Sequence, residues 1–126
     1  MIAPRRISIA QPTARQRQPA RVLRVAPLDG ATGVLRDAPV LARFDQPILE
    51  ELLTPGSFTV RDASGEVPAR LLLSPDGLVA IWQADRRLRS CCEHEVTILV
   101  ADARFDSDAA GYRGRFTTGS LTREEL

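Results

Sequence analysis

What most constrains this chain is a rhythm. From Arg21 onward, short β-type runs recur at intervals of roughly ten to fifteen residues, separated by Gly, Pro, Asp and Ser. "RVLRVAP", "APVLARFDQP", "SFTVRD", "PARLLLS", "GLVAIWQ", "HEVTILV" and "YRGRFTT" give seven expected strands. Several alternate in the period-2 sense: Val40, Ala42 and Phe44 share one face while Leu41 and Arg43 take the other, and Phe58 and Val60 point together. "SPDG" joins the fourth and fifth runs as a hairpin turn, with Pro75 fixing φ and Gly77 free to take positive φ. Strands of this kind leave each sheet dry on one side only, so two sheets must cover each other, which predicts an antiparallel β-sandwich. Between the second and third strands, Ile48, Leu49, Leu52 and Leu53 lie at helical spacing and predict one short helical turn closing the end of the sheets. Trp82, inside a strand pattern, is expected as a core plug.

Length supports one domain, because 126 residues bury roughly two-thirds of their unfolded surface without staples. The chain divides into an extended basic arm at 1–20, the sandwich at 21–120 and a short acidic tail at 121–126. The arm is rich in Arg, Gln and Pro, lacks a hydrophobic period and is interrupted at Pro4, Pro12 and Pro19. Charge is split between arm and body. Met1 to Arg24 holds six arginines and no acid, whereas the remainder sets 11 arginines against 16 acids, a net of −5. No apolar run approaches the ~18 residues of a membrane span, and the N-terminus lacks the apolar block of a secretory signal. Membrane insertion is therefore not expected. The expected location is the cytoplasm, or a particle assembled there, unless a leader is missing.

Several segments taken in order resemble the bacterial Ig-like domain of the type first known from S-layer proteins. They are "P-x-D-G-A-T-G-V" at Pro27 to Val34, the strand ending "F-D-Q-P" at Phe44 to Pro47, and the closing "R-F-T-T-G-S" at Arg115 to Ser120. The resemblance covers about Arg21 to Ser120 and implies an all-β, Ig-like sandwich used as a stalk, spacer or surface-layer unit. In this pattern Gly30 and Gly33 permit positive φ in the loop joining the first two strands, and Asp29 is expected to hold local amides. The family introduces its penultimate strand with "L-x-P-G-T-x-Y-x-V". Here Cys91 and Cys92 replace the Gly-Thr pair, and His94 stands at the tyrosine.

"SCCEHEV", Ser90 to Val96, holds both cysteines and the single histidine, and so invites a test for chemistry. In an extended strand Cys92 and His94 share a face while Cys91 points away, and structural zinc needs four ligands. Neighbouring cysteines have Cα atoms ~3.8 Å apart, below the ~4.4 Å of ordinary disulfides, so reduced thiols are expected. A Cys-His nucleophile needs its imidazole oriented from elsewhere in the fold, and no nucleophile-elbow, phosphate-loop or zinc-helix motif is present. The expectation is no catalysis, no cofactor and no metal. The weak calcium candidates are Asp102, Asp106 and Asp108, which cluster before the last strand without EF-hand spacing.

Three functional readings follow. In the first, the domain is a non-catalytic structural or interaction module in a homo- or hetero-oligomeric assembly of surface-layer, particle or filament type. Its arm residues Arg5, Arg6, Arg15, Arg17 and Arg21 then anchor it to a neighbouring subunit. In the second, the same arginines bind a polyanion such as nucleic acid or an anionic glycan, although no aromatic residue in the arm offers stacking. In the third, the domain binds carbohydrate for a larger enzyme, which requires an exposed aromatic platform.

Overall fold

The computed structural model describes residues 20–100, 103–104 and 111–126. Ten strands are found among them: β1 (Ala20–Ala26), β2 (Ala31–Val34), β3 (Val40–Phe44), β4 (Phe58–Asp62), β5 (Gly65–Glu66), β6 (Ala69–Leu73), β7 (Val79–Ala84), β8 (Glu93–Ile98), β9 (Ala103–Arg104) and β10 (Tyr112–Thr118). They form two five-stranded sheets, ordered β6-β7-β3-β1-β9 and β2-β10-β8-β4-β5. The seven expected runs are all strands. Three short ones were not expected, because two to four residues carry too little alternation to register as a period.

The opening segment changes sheets. β1 pairs antiparallel with β3, Val25 opposite Ala42. The chain then turns through Pro27 to Gly30, and β2 runs parallel to β10 in the other sheet, Ala31 opposite Phe116. β1 also meets β9 in parallel, so the sandwich is not wholly antiparallel as the alternation had suggested. Gly30 and Gly33 do take positive φ, at 86° and 64°, but they flank and interrupt a strand rather than occupy a plain loop. Asp29 likewise acts at long range: its Oδ1 accepts the Arg115 amide at 2.9 Å, and the Gly30 amide donates to the Arg115 carbonyl at 2.7 Å. These two bonds pin the crossing point to β10.

The core lies between the sheets. Val40, Ala42 and Phe44 of β3 and Ala80 and Trp82 of β7 face Phe58 and Val60 of β4, Val96 and Ile98 of β8, and Phe116 of β10, all buried. Each fully buried Val, Ile or Phe side chain among them contributes on the order of 1.5–3 kcal/mol. Trp82 is 2% exposed, so it is the expected core plug. The helical spacing at 48–53 resolves into two 3-10 turns, Glu50–Leu52 and Pro55–Ser57. Pro55 and Gly56 stop a longer helix, and only Ile48 of the four apolar residues is buried, while Leu49 stays 51% exposed. The acidic tail folds back. Thr122 caps a 3-10 turn at Arg123–Glu125, the Arg36 amide donates to the Leu121 carbonyl at 3.0 Å, and the Arg123 amide donates to Asp37 Oδ1 at 3.0 Å.

Candidate interaction surface

The "SCCEHEV" stretch is a turn leading into β8. Cys91 sits at φ 52°, the one non-glycine residue in the left-handed region among the described residues, at the place where the resembling pattern has glycine. Both thiols are free, Cys91 exposed and Cys92 half-buried. The turn is fastened to β10. The Cys92 amide donates to Thr118 Oγ1 at 3.1 Å, the Thr118 amide donates to the Cys92 carbonyl at 3.0 Å, and the Cys91 amide donates to the Gly119 carbonyl at 3.1 Å. His94 is fully buried and stacks on Phe116, ring centroids 5.2 Å apart and planes 6° from parallel. Its Nδ1 donates to the Cys92 carbonyl at 3.0 Å, because a carbonyl can only accept. Nε2 has no hydrogen-bond partner and lies 4.0 Å from Asp62 Oδ2. Asp62 is held below the usual carboxyl range, first by the Ser64 hydroxyl at 2.6 Å and then by the Ser64 amide at 2.8 Å, against the opposing effect of burial. The imidazole therefore works as a packed aromatic, and no cluster of three metal-ligating side chains forms among the described residues.

The sequence-derived arm residues Arg5, Arg6, Arg15 and Arg17 lie outside the described residues, as do Asp102, Asp106 and Asp108. Arg21 is exposed on β1, its amide donating to Asp45 Oδ1 at 2.8 Å and its carbonyl accepting the Asp45 amide at 2.9 Å, which closes the β1–β3 ladder. Trp82, Phe44, Phe58 and Phe116 are buried and Tyr112 is half-buried. None of these rings offers the open platform that the carbohydrate reading requires.

Strand parity distinguishes the two outer surfaces. On the β2-β10-β8-β4 sheet the outward positions include Arg113, Arg115, Glu93, Glu95, Thr97, Thr59 and Arg61. Arg115 lies 3.7 Å from Glu93 and 3.8 Å from Glu95, an exposed charge lattice that suits contact with water. The other sheet presents apolar side chains instead. Leu72, Ile81 and Leu41 are directly opposite one another across β6, β7 and β3, forming a row that Val79 widens and Ala26 of β1 continues, while Leu23 lies at the irregularity in β1. Leu72 is 49% exposed and Leu23 61%.

Around that row stand Arg70, Arg43 and Arg24. Arg24 and Arg43 are directly opposite on β1 and β3, a like-charge cross-strand pair that destabilises a sheet unless an anion joins it. None of the three closes an ion pair among the described residues, and Arg43 adds only a minor attraction at Asp76. The period-2 pattern puts Leu41 and Arg43 on one face together but does not give the register that joins them to β7 and β1. The signal available was the run "ARLLL" beside "VAIW", where outward as well as inward positions are apolar.

No family model and no curated protein sequence matches this chain. Solved structures do. L,D-transpeptidase LdtMt1 in complex with imipenem is similar at a TM-score of 0.60 and 19% identity, over 79% of this chain and 40% of that one. An L,D-transpeptidase from Mycobacterium smegmatis gives 0.55 and 24%, over 80% and 40%. Domains 1–6 of the surface layer protein SbsC give 0.53 and 13%, over 80% and 14%. At these identities the likeness establishes the fold, and the chain spans less than half the length of each of these neighbours. The class so defined is an all-β, two-sheet sandwich, a fold shared by surface-layer domains and by part of the transpeptidase chains.

Proposed function

We propose that this chain is a non-catalytic structural module that packs into a larger protein assembly of surface-layer, particle or filament type, with Arg5, Arg6, Arg15, Arg17 and Arg21 of the basic arm anchoring it to a neighbouring subunit. The observation that carries this reading is the difference between the two outer sheet faces. One is a solvated lattice of Arg, Glu and Thr, while the other sets an apolar row beside arginines that close no ion pair among the described residues, the composition of an interface core. The surface-layer neighbours agree with such a role, and the transpeptidase activity belongs to chains of which this one spans 40%.

The test is the size of the particle that carries the tagged full chain in its native cell. The expected result is a complex well above 13.8 kDa that survives 0.5 M salt and disperses when residues 1–19 are deleted. A monomeric chain, or a complex indifferent to the deletion, would contradict the anchoring role. Loss of the complex on nuclease or moderate salt alone would instead indicate polyanion binding by the arm.

A further inference from the structure

We propose that the β6-β7-β3-β1 face is the contact surface for a second copy of this chain, each copy delivering the acidic turn Leu49-Glu50-Glu51 to the Arg24–Arg43 pair of the other. This rests on the structural-module reading and names its partner.

Leu72, Ile81 and Leu41 form an apolar row, and the outward strand positions around them hold Arg70, Arg43, Arg24 and Gln83 but no carboxylate. Two guanidinium groups directly opposite each other, neither closing an ion pair among the described residues and only Arg43 weakly attracted to Asp76, form a seat for a further anionic side chain. A partner for this surface must therefore bring an apolar group flanked by acids.

The chain carries such a feature at the border of the same face. Leu49 is 51% exposed and is followed by Glu50 and Glu51, both exposed and neither ion-paired among the described residues. The turn is held rigidly beside the β6–β7 hairpin. The Ile48 amide donates to the Gly77 carbonyl at 3.0 Å, and a Cβ on Gly77 would come within 3.0 Å of the Pro47 Cβ. Glu50 shares a cleft with Leu73, Ser74, Pro75 and Asp76. Val79, which opens β7 just after that hairpin turn, is opposite Arg43, so the acidic turn and the arginine pair stand at one end of the sheet.

A donor and an acceptor patch on one border suit an isologous pair, in which the turn of each copy meets the arginines of the other and the two apolar rows cover each other. Without the acidic turns, stacking the faces would set four guanidinium groups against one another. Four strands at about 4.8 Å spacing and about five residues in length give a plan area on the order of 300–400 Å². That falls short of the ~800 Å² per partner of a stable interface. The pair is accordingly weak and reversible, to be sought at protein concentrations of roughly 10–500 μM.

The experiment is analytical ultracentrifugation of the full chain across that concentration range, with circular dichroism confirming that every variant is folded. The expected result is a monomer–dimer equilibrium that Ile81→Arg abolishes. Arg43→Glu should weaken it about tenfold, as should the double change Glu50→Arg, Glu51→Arg, and combining the three should restore most of the loss. A chain monomeric to several hundred micromolar overturns the proposal. So does a dimer that Arg43→Glu tightens, since relief of arginine repulsion would mean that the acidic turns are elsewhere, and so does a charge swap without rescue. If the chain stays monomeric while Ile81→Arg still expels it from its native complex, the structural-module reading stands and the second copy is wrong. If Ile81→Arg changes neither, that reading fails as well.

Discussion

At Cys91 a left-handed backbone falls on a residue with a Cβ, and the consequence can be estimated. An L-residue there costs on the order of 1–2 kcal/mol, and glycine would recover it less the roughly 0.5–1 kcal/mol of extra freedom it gains when unfolded. Cys91→Gly should therefore stabilise the fold by about 0.5 kcal/mol, and Cys91→Val should destabilise it by about 1 kcal/mol, read from urea midpoints at unchanged slope. Asp62 gives the second residue-scale prediction. Its side chain is 6% exposed, and the Ser64 hydroxyl and amide hold its carboxyl below the reference value of 3.8. A carboxyl whose folded pKa is depressed contributes stability above its unfolded pKa, and that contribution disappears as the pH falls through the folded value. The stability gap between the parent and Asp62→Asn should thus be full at neutral pH and shrink below about pH 4, as measured by urea melts across the acid range. A gap that widens on acidification would mean that the Ser64 bonds do not form in solution.

At the scale of elements, what the sequence made legible tracks how many residues each element devotes to a period. The five- to seven-residue strands were visible because Val40, Ala42 and Phe44, or Phe58 and Val60, repeat every second position over a buried face. β2 and β9 were not, because pairing partners distant in sequence make them strands, β10 for β2 and β1 for β9; β5 was not, because it is only two residues closing a tight hairpin on Arg61 and Asp62. The 48–53 segment has helical spacing but ends as 3-10 turns, since Pro55 removes a donor before a second helical turn can close. The turn position of Cys91 and the inward face of His94 follow from the strand pattern, whereas the outward row Leu72–Ile81–Leu41 requires the register, which strand patterns alone do not reveal. Sheet order also sets the order of opening. Amides of β3, β7, β8 and β10, flanked on both sides, should exchange hydrogen last, and those of β5 and β6 at the sheet edges first. Hydrogen-exchange mass spectrometry on the full chain reads this directly, and slow exchange in β6 equal to that of β7 would reveal a partner on its free edge.

For the molecule as a whole, the sandwich joins two surfaces of different character on one rigid core. The charged sheet is built to remain wet, with Arg115 between Glu93 and Glu95. The opposite sheet exposes Leu72 and leaves Ile81 and Leu41 half-buried beside a cross-strand arginine pair that closes no ion pair among the described residues, with only a minor attraction between Arg43 and Asp76. A chain that only had to stay folded in water would gain from polar residues at Leu72, Ile81 and Leu41 and from a carboxylate at either arginine. The fold is shared with domains of a surface-layer protein and with part of transpeptidase chains, so the sandwich alone does not select a function, and the asymmetry of its faces has to. Hydroxyl-radical footprinting of the chain inside its native complex, compared with the isolated chain at low concentration, measures that asymmetry most directly. The account predicts strong protection of Leu41, Leu72 and Ile81 in the complex with labelling of Thr59, Thr97 and Arg113 unchanged; equal labelling of both faces, or protection confined to the charged sheet, would contradict it.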